Sequence, residues 1–264
     1  MDKVKLLRND IDIFKKLQLT PYELGGKIHI NTLATQKSPI RNLKLDIKSG
    51  KNRSINSRNF PSGILWFHTH PSFPSIKHNE TIHSKVLKQL KRKKNDFTID
   101  ILVSPISDDD LVSVTHAIHQ QRTCSMAVFC PEGIYIMSLN PNSNPSKKNS
   151  IEEKNVQFAL NTIEITHCSK LLKNKASKFI LNRDAFIISE QKKLIHSLNN
   201  EKDHDNKIKI LDSFQKRIGI KMCKLVQTHY KSPIGTKIHP LKVEYYPWDQ
   251  KYINISSGVC NLDN

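Results

Sequence analysis

Residues Gly63 to Glu80 read GILWFHTHPSFPSIKHNE and bring three imidazoles close together in the chain: His68, His70 and His78. Side chains alternate along a strand, so a His-x-His pair leaving one aims both rings to the same side. Two imidazole nitrogens facing together bind one Zn²⁺ at about 2.0–2.1 Å, and a catalytic zinc needs a third protein ligand and an open position. The apolar run Ile64 to Phe67 ahead of the pair supplies the rigid, dry support that such a centre requires. A histidine-rich loop without chemistry is the plain alternative, because His-x-His alone is a weak pattern.

The neighbouring residues sharpen the choice. His68-Thr69-His70-Pro71-Ser72 resembles the metal loop of the JAMM/MPN+ (JAB, Mov34-type) zinc isopeptidase family. That loop reads His-Ser/Thr-His-Pro, then a short stretch, then Ser-x-x-Asp opening a helix. The family also carries a glutamate well upstream, before glycine and after a helix, and Tyr22-Glu23-Leu24-Gly25-Gly26 is similar. Aligned on Pro74-Ser75, the Ser-x-x-Asp element becomes Ser75-Ile76-Lys77-His78, with histidine where the family has aspartate. Glu80 is the competing third ligand; His78 keeps the serine-to-ligand spacing. The resemblance thus implies Zn²⁺ as cofactor, with His68, His70 and His78 as metal ligands. It implies Glu23 as general base toward the attacking water and Ser75 as donor to the developing oxyanion. The implied reaction is cleavage of an isopeptide or peptide bond at the C-terminus of ubiquitin or a ubiquitin-like protein. Because the aspartate is replaced, a catalytically silent MPN-type scaffold for protein partners stands beside the hydrolase. The resemblance covers residues 1–139 and does not extend to the rest of the chain.

The elements that must position these groups follow from periodicity. Val4 to Leu17 carries apolar residues at helical spacing, and RNLKLDIKSG alternates as a strand ending at Ser49-Gly50. The Gly25-Gly26 pair allows close backbone approach. GILWF reads as a short strand buried on both faces. Asn79 to Lys93 predicts an amphipathic helix and FTIDILVSP a strand. Asp109 to Gln121 predicts a second helix, Asp108-Asp109-Asp110 being its capped, dipole-favoured start. CSMAVFC and IYIMSL predict a hairpin about Pro131-Glu132-Gly133. This order predicts an α/β (α+β) domain over 1–139. The resemblance makes it an MPN/JAB-like domain, a curved central sheet flanked by helices. NPNSNPSKKNS, residues 140–150, reads as a linker. Residues 151–264 read as a mainly helical C-terminal region of unassigned role with a short extended tail around KVEYYPWDQKYINI.

Composition bounds the classes. The chain has 264 residues, 37% of them hydrophobic, which is enough for a packed core and excludes global disorder. Its 42 Lys+Arg against 24 Asp+Glu give a net charge of +18. Such a surface attracts an acidic protein partner or nucleic acid. A nucleic-acid-binding protein is therefore a third reading, although heavy use of Lys, Asn and Ile also follows from A/T-rich codons. The five cysteines are scattered with no Cys-x-x-Cys pair. That argues against a disulfide framework and for an intracellular protein of the cytoplasm or nucleus. No run approaches the roughly 20 apolar residues that span a bilayer.

Overall fold

The computed structural model describes residues 3–29, 44–50, 55, 60–71, 82–92, 102–120, 122–139, 181–229 and 241–256. Their order is β1 (Lys3–Leu7), α1 (Arg8–Gln18), β2 (Leu24–His29), β3 (Lys44–Ser49), β4 (Gly63–Thr69), α2 (Ile82–Arg92) and α3 (Asp108–His119). There follow β5 (Thr123–Cys130), β6 (Gly133–Leu139), α4 (181–200), α5 (His204–His229), β7 (Leu241–Tyr246) and β8 (Tyr252–Ser256). Six strands form a mixed sheet in the order β3-β2-β4-β5-β6-β7, and β1 pairs with β8 in a separate two-stranded ribbon. The fold is mixed α/β, as expected. Residues 140–150 and 151–172, read as linker and helix, lie outside the described residues, as do 97–101 of the expected FTIDILVSP strand.

The sheet is buried on both faces, and strand alternation decides which residue goes where. Leu65, Phe67, Ala127, Phe129, Ile134 and Ile136 point to one side and pack with Ile11 and Phe14 of α1 and with Leu6, Ile253 and Ile255 of the ribbon. Trp66, Met126, Val128, Tyr135 and Met137 point to the other and pack with residues of α2, α3, α4 and α5. All eight residues of β5 are buried, as a central strand covered on both sides requires. His68 shares the parity of Trp66, so its ring emerges on the face covered by α3.

Two local expectations change. Residues Lys3 to Leu7 form a strand where helical spacing runs from Val4, because β8 offers antiparallel partners from Lys3↔Ser256 to Leu7↔Tyr252. Pairing with so distant a segment overrides a local helical pattern. The expected extended tail of the C-terminal third forms β7 and β8. β7 hydrogen-bonds along β6 from Ile134↔Tyr246 to Leu139↔Leu241, and Leu194, Leu198, Leu211, Phe214 and Ile218 join Trp66 in one core. Cys124 is disulfide-bonded, against the expectation from cysteine spacing, while Cys130 and Cys223 are free thiols. No helix among the described residues is long and apolar enough to cross a membrane.

Phe14 fastens α1 to the sheet. Its ring stacks on Phe129 at 4.0 Å between centroids and meets Phe67 edge-on at 5.4 Å. Phe14→Ala is expected to cost about 3–5 kcal/mol. It should appear as a lower urea midpoint with an unchanged m-value; a shift equivalent to under about 1 kcal/mol would mean that α1 is held by other contacts.

Candidate metal centre

β4 carries His68 and ends just before His70, the first two candidate ligands. Gly25↔His68 and Phe67↔Gly26 place β2 against it, and His68↔Val128 places β5 on its other side. The contact with β2 is close enough to need the glycines. A Cβ on Gly25 would sit 2.5 Å from Phe60 Cζ and 2.9 Å from the Phe67 carbonyl oxygen. Gly26 has φ +154°, and its Cβ would overlap the Asp46 carbonyl oxygen at 1.8 Å. Beyond the strand, the His70 N–H donates to the Phe129 carbonyl at 2.8 Å, continuing the β5 pairing by one residue. Gln18, at the end of α1, donates from Nε2 to the His70 carbonyl at 2.9 Å. Both histidines are therefore fixed at the main chain.

Their rings converge, with the Nε2 atoms 3.1 Å apart. Asp110 closes the group: Oδ1 lies 2.9 Å from His68 Nε2 and Oδ2 3.3 Å from His70 Nε2. His68, His70 and Asp110 form a group that could hold a metal ion, each offering one ligand atom within 4.8 Å of the others. Ligand atoms at about 2.0–2.1 Å from a tetrahedral ion stand about 3.3 Å apart, close to the separations found. His70 Nδ1 lies 2.7 Å from the Ser104 carbonyl oxygen, which can only accept. In the neutral ring the proton thus sits on Nδ1, and the lone pair of Nε2 faces the cluster.

α3 positions Asp110 through its cap. Ser107 is the N-cap, its Oγ accepting from the Asp110 N–H at 3.1 Å. Asp110 Oδ2 accepts in return from the Ser107 N–H at 2.6 Å and the Ser107 hydroxyl at 2.8 Å. The sequence presents Asp108-Asp109-Asp110 as a helix start, and it is one; the same capping carboxylate also turns to the imidazoles. Burial opposes charge on Asp110, but His70 and His68 overcome it and hold the carboxyl well below the usual carboxylate range. Burial likewise opposes charge on His70, and the ionised Asp110 beside it outweighs burial, raising the imidazole well above its ordinary value. This centre therefore demands positive charge, which a proton or a metal cation can provide. Burial pushes the nearby Cys130 thiol up to about 12, so without a metal it is a neutral thiol, and it is not part of the clustered group.

The chain matches no protein-family model, no curated protein and no solved structure.

Glu23 lies just ahead of β2 and lines the same cavity of about 360 Å³ as His68, His70, Ser107 and Asp110. It is 9% exposed, and burial raises its carboxyl above the ordinary glutamate value, offset in part by His70 and His68 and by a hydrogen bond from the Ile55 main chain. It is not among the three clustered ligands. Of the residues singled out by sequence, the structure brings His68, His70 and Glu23 to one cavity. His78, Glu80 and Ser75 lie outside the described residues.

Among the described residues, Asp110 is the third member of the group. Its signal was in the chain: Ser107-Asp108-Asp109-Asp110 has the Ser-x-x-Asp spacing at a helix start, beyond a segment containing α2. A short loop after His70 is what directs attention to Ser75 and His78. Asp110→Ala is expected to abolish stoichiometric zinc binding, whereas His78→Ala retains it, as read by elemental analysis after dialysis. The reverse pattern would return the third ligand to the loop after Pro71.

Proposed function

We propose that the chain is a zinc-dependent hydrolase of the JAMM type. The observation that carries the reading is the position of Glu23, a buried carboxylate that is not one of the three ligands and opens on the cavity containing them. Two imidazoles and one carboxylate are a donor set suited to Zn²⁺, leaving a position open as a catalytic centre requires. The Ser107-to-Asp110 spacing supports the same reading, because it supplies the aspartate that an alignment on Ser75 lacks. The scaffold reading rests on that missing aspartate.

Bound zinc would supply Lewis acidity to the scissile carbonyl and lower the pKa of water toward about 7. The chain's own groups do the rest. Glu23 accepts a proton from the attacking water on a carboxylate oxygen and passes it to the leaving amine nitrogen. Its burial suits it to both steps, since a carboxyl raised toward the working pH is a better base toward the water and can still give the proton up afterwards. Ser107 takes the part that the resemblance gave Ser75, its hydroxyl turning from Asp110 toward the developing oxyanion. Asp110 stays fixed during that turn through the Ser107 N–H. By the same resemblance the substrate is an isopeptide or peptide bond at the C-terminus of ubiquitin or a ubiquitin-like protein, and the product pair is a carboxylate and an amine.

The test has two readouts. Purified protein is expected to hold one zinc per chain and to cleave isopeptide-linked di-ubiquitin or a ubiquitin-like C-terminal amide. Glu23→Gln keeps the zinc and loses about 10²–10⁴-fold in kcat. Full activity in that variant would remove Glu23 from the role. Zinc bound without cleavage of any such conjugate would leave the silent scaffold.

A further inference from the structure

Glu132 stands in the β5–β6 turn and yet is 2% exposed, an unusual place for a carboxylate with no catalytic use. Both of its oxygens accept: Oε2 from the Ser104 N–H at 3.0 Å and Oε1 from the Tyr135 hydroxyl at 2.9 Å. Ser104 is also the residue whose carbonyl oxygen takes the proton of His70 Nδ1. One peptide unit on either side of Ser104 thus links a buried carboxylate to a ligand imidazole.

The turn is in turn held from behind by the C-terminal third. Trp248 Nε1 donates to the Cys130 carbonyl at 3.0 Å and to the Pro131 carbonyl at 3.2 Å. Gln215 Nε2, on α5, donates to the Leu102 carbonyl at 2.7 Å and the Pro131 carbonyl at 3.3 Å. The Tyr245 hydroxyl, on β7, donates to the Glu132 carbonyl at 2.7 Å. Three consecutive carbonyls, 130 to 132, are therefore all taken by residues 215–248, and Gln215 bridges the turn to the segment that carries Ser104.

We propose that Glu132 is a positioning residue for the metal ligand His70, acting through Ser104, and that residues 215–248 set metal affinity by fixing the turn that carries it. The inference rests on reading His70 as a metal ligand. A ligand histidine needs its second nitrogen engaged, because that bond fixes the tautomer and the ring plane. Here the acceptor is a main-chain carbonyl in an irregular segment, which by itself has freedom to turn. A carboxylate holding the N–H of the same residue removes that freedom, and the C-terminal donors keep the carboxylate's own backbone still. The C-terminal third thereby has a function at a site to which it contributes no ligand.

The experiment compares the full-length protein with Glu132→Ala, Glu132→Gln and Tyr135→Phe. Zinc affinity is read by competition with a chelator, and the His70 tautomer by ¹⁵N NMR of the metal-free chain at a pH high enough to leave the ring neutral. Wild type is expected to show a single Nδ1–H tautomer. Glu132→Ala should mix tautomers and weaken zinc about 10–100-fold. Glu132→Gln, which still offers an oxygen to Ser104, should restore most of both. Tyr135→Phe, which leaves Glu132 held only by Ser104, should fall between. Unchanged affinity and tautomer in Glu132→Ala would overturn the proposal. If Glu132→Ala fails to fold, unchanged values in Tyr135→Phe would do so. If wild type binds no zinc, the metal reading falls and the tautomer alone decides: an Nδ1–H held in wild type and lost in Glu132→Ala upholds the positioning, and one held in both refutes it.

Discussion

Asp110 sets a carboxylate whose side chain is 11% exposed against two imidazole nitrogens, 2.9 and 3.3 Å away. In so buried a place a charge is stable only if something of opposite sign lies among the same atoms. Everything nearby is arranged around that demand. Main-chain bonds fix the histidines, a helix cap fixes the aspartate, and Gly25 lets the strand that follows Glu23 lie tightly along β4, as Gly26 does along β3. The rigidity is useful because a metal centre loses affinity when its ligands must be ordered at the moment of binding.

The same demand explains why Glu23 is informative. A second carboxylate buried in this cavity is costly, chiefly through lost hydration, and its raised pKa expresses that cost. Desolvation and the Asp110 charge work against its ionisation, while the two imidazoles favour it. A group so balanced can carry a proton in either direction, unlike Asp110, which its neighbours hold ionised. Two carboxylates in one cavity are thus driven to different tasks by their surroundings.

Much of this was legible in the sequence where the physics is local. The apolar run before His68 could only be a buried strand, and its parity put both rings on one side. The hairpin was marked by Pro131-Glu132-Gly133, and the α3 start by its capping carboxylates. What was not legible depended on distance along the chain. The strand Lys3–Leu7 exists because of Tyr252–Ser256, and nothing near Val4 announces that partner. Asp110 was hidden in another way. A Ser-x-x-Asp at a helix start satisfies the backbone with or without a metal, so local reasoning had a sufficient account of it and stopped there.

The C-terminal third shows how a site can depend on residues outside its candidate ligands. β7 extends the sheet beyond β6, and α4 and α5 cover the face from which His68 emerges. Remove that layer and Trp66, Val128, Tyr135 and Met137 lose part of their cover, and the carbonyls of the turn lose their donors. A chain ending at Leu139 would keep His68, His70, Asp110 and Glu23 but not the face that holds Ser104 and Glu132 in place. The ligands lie in the first half of the sequence, while the rigidity that makes them a centre is shared by the whole of it.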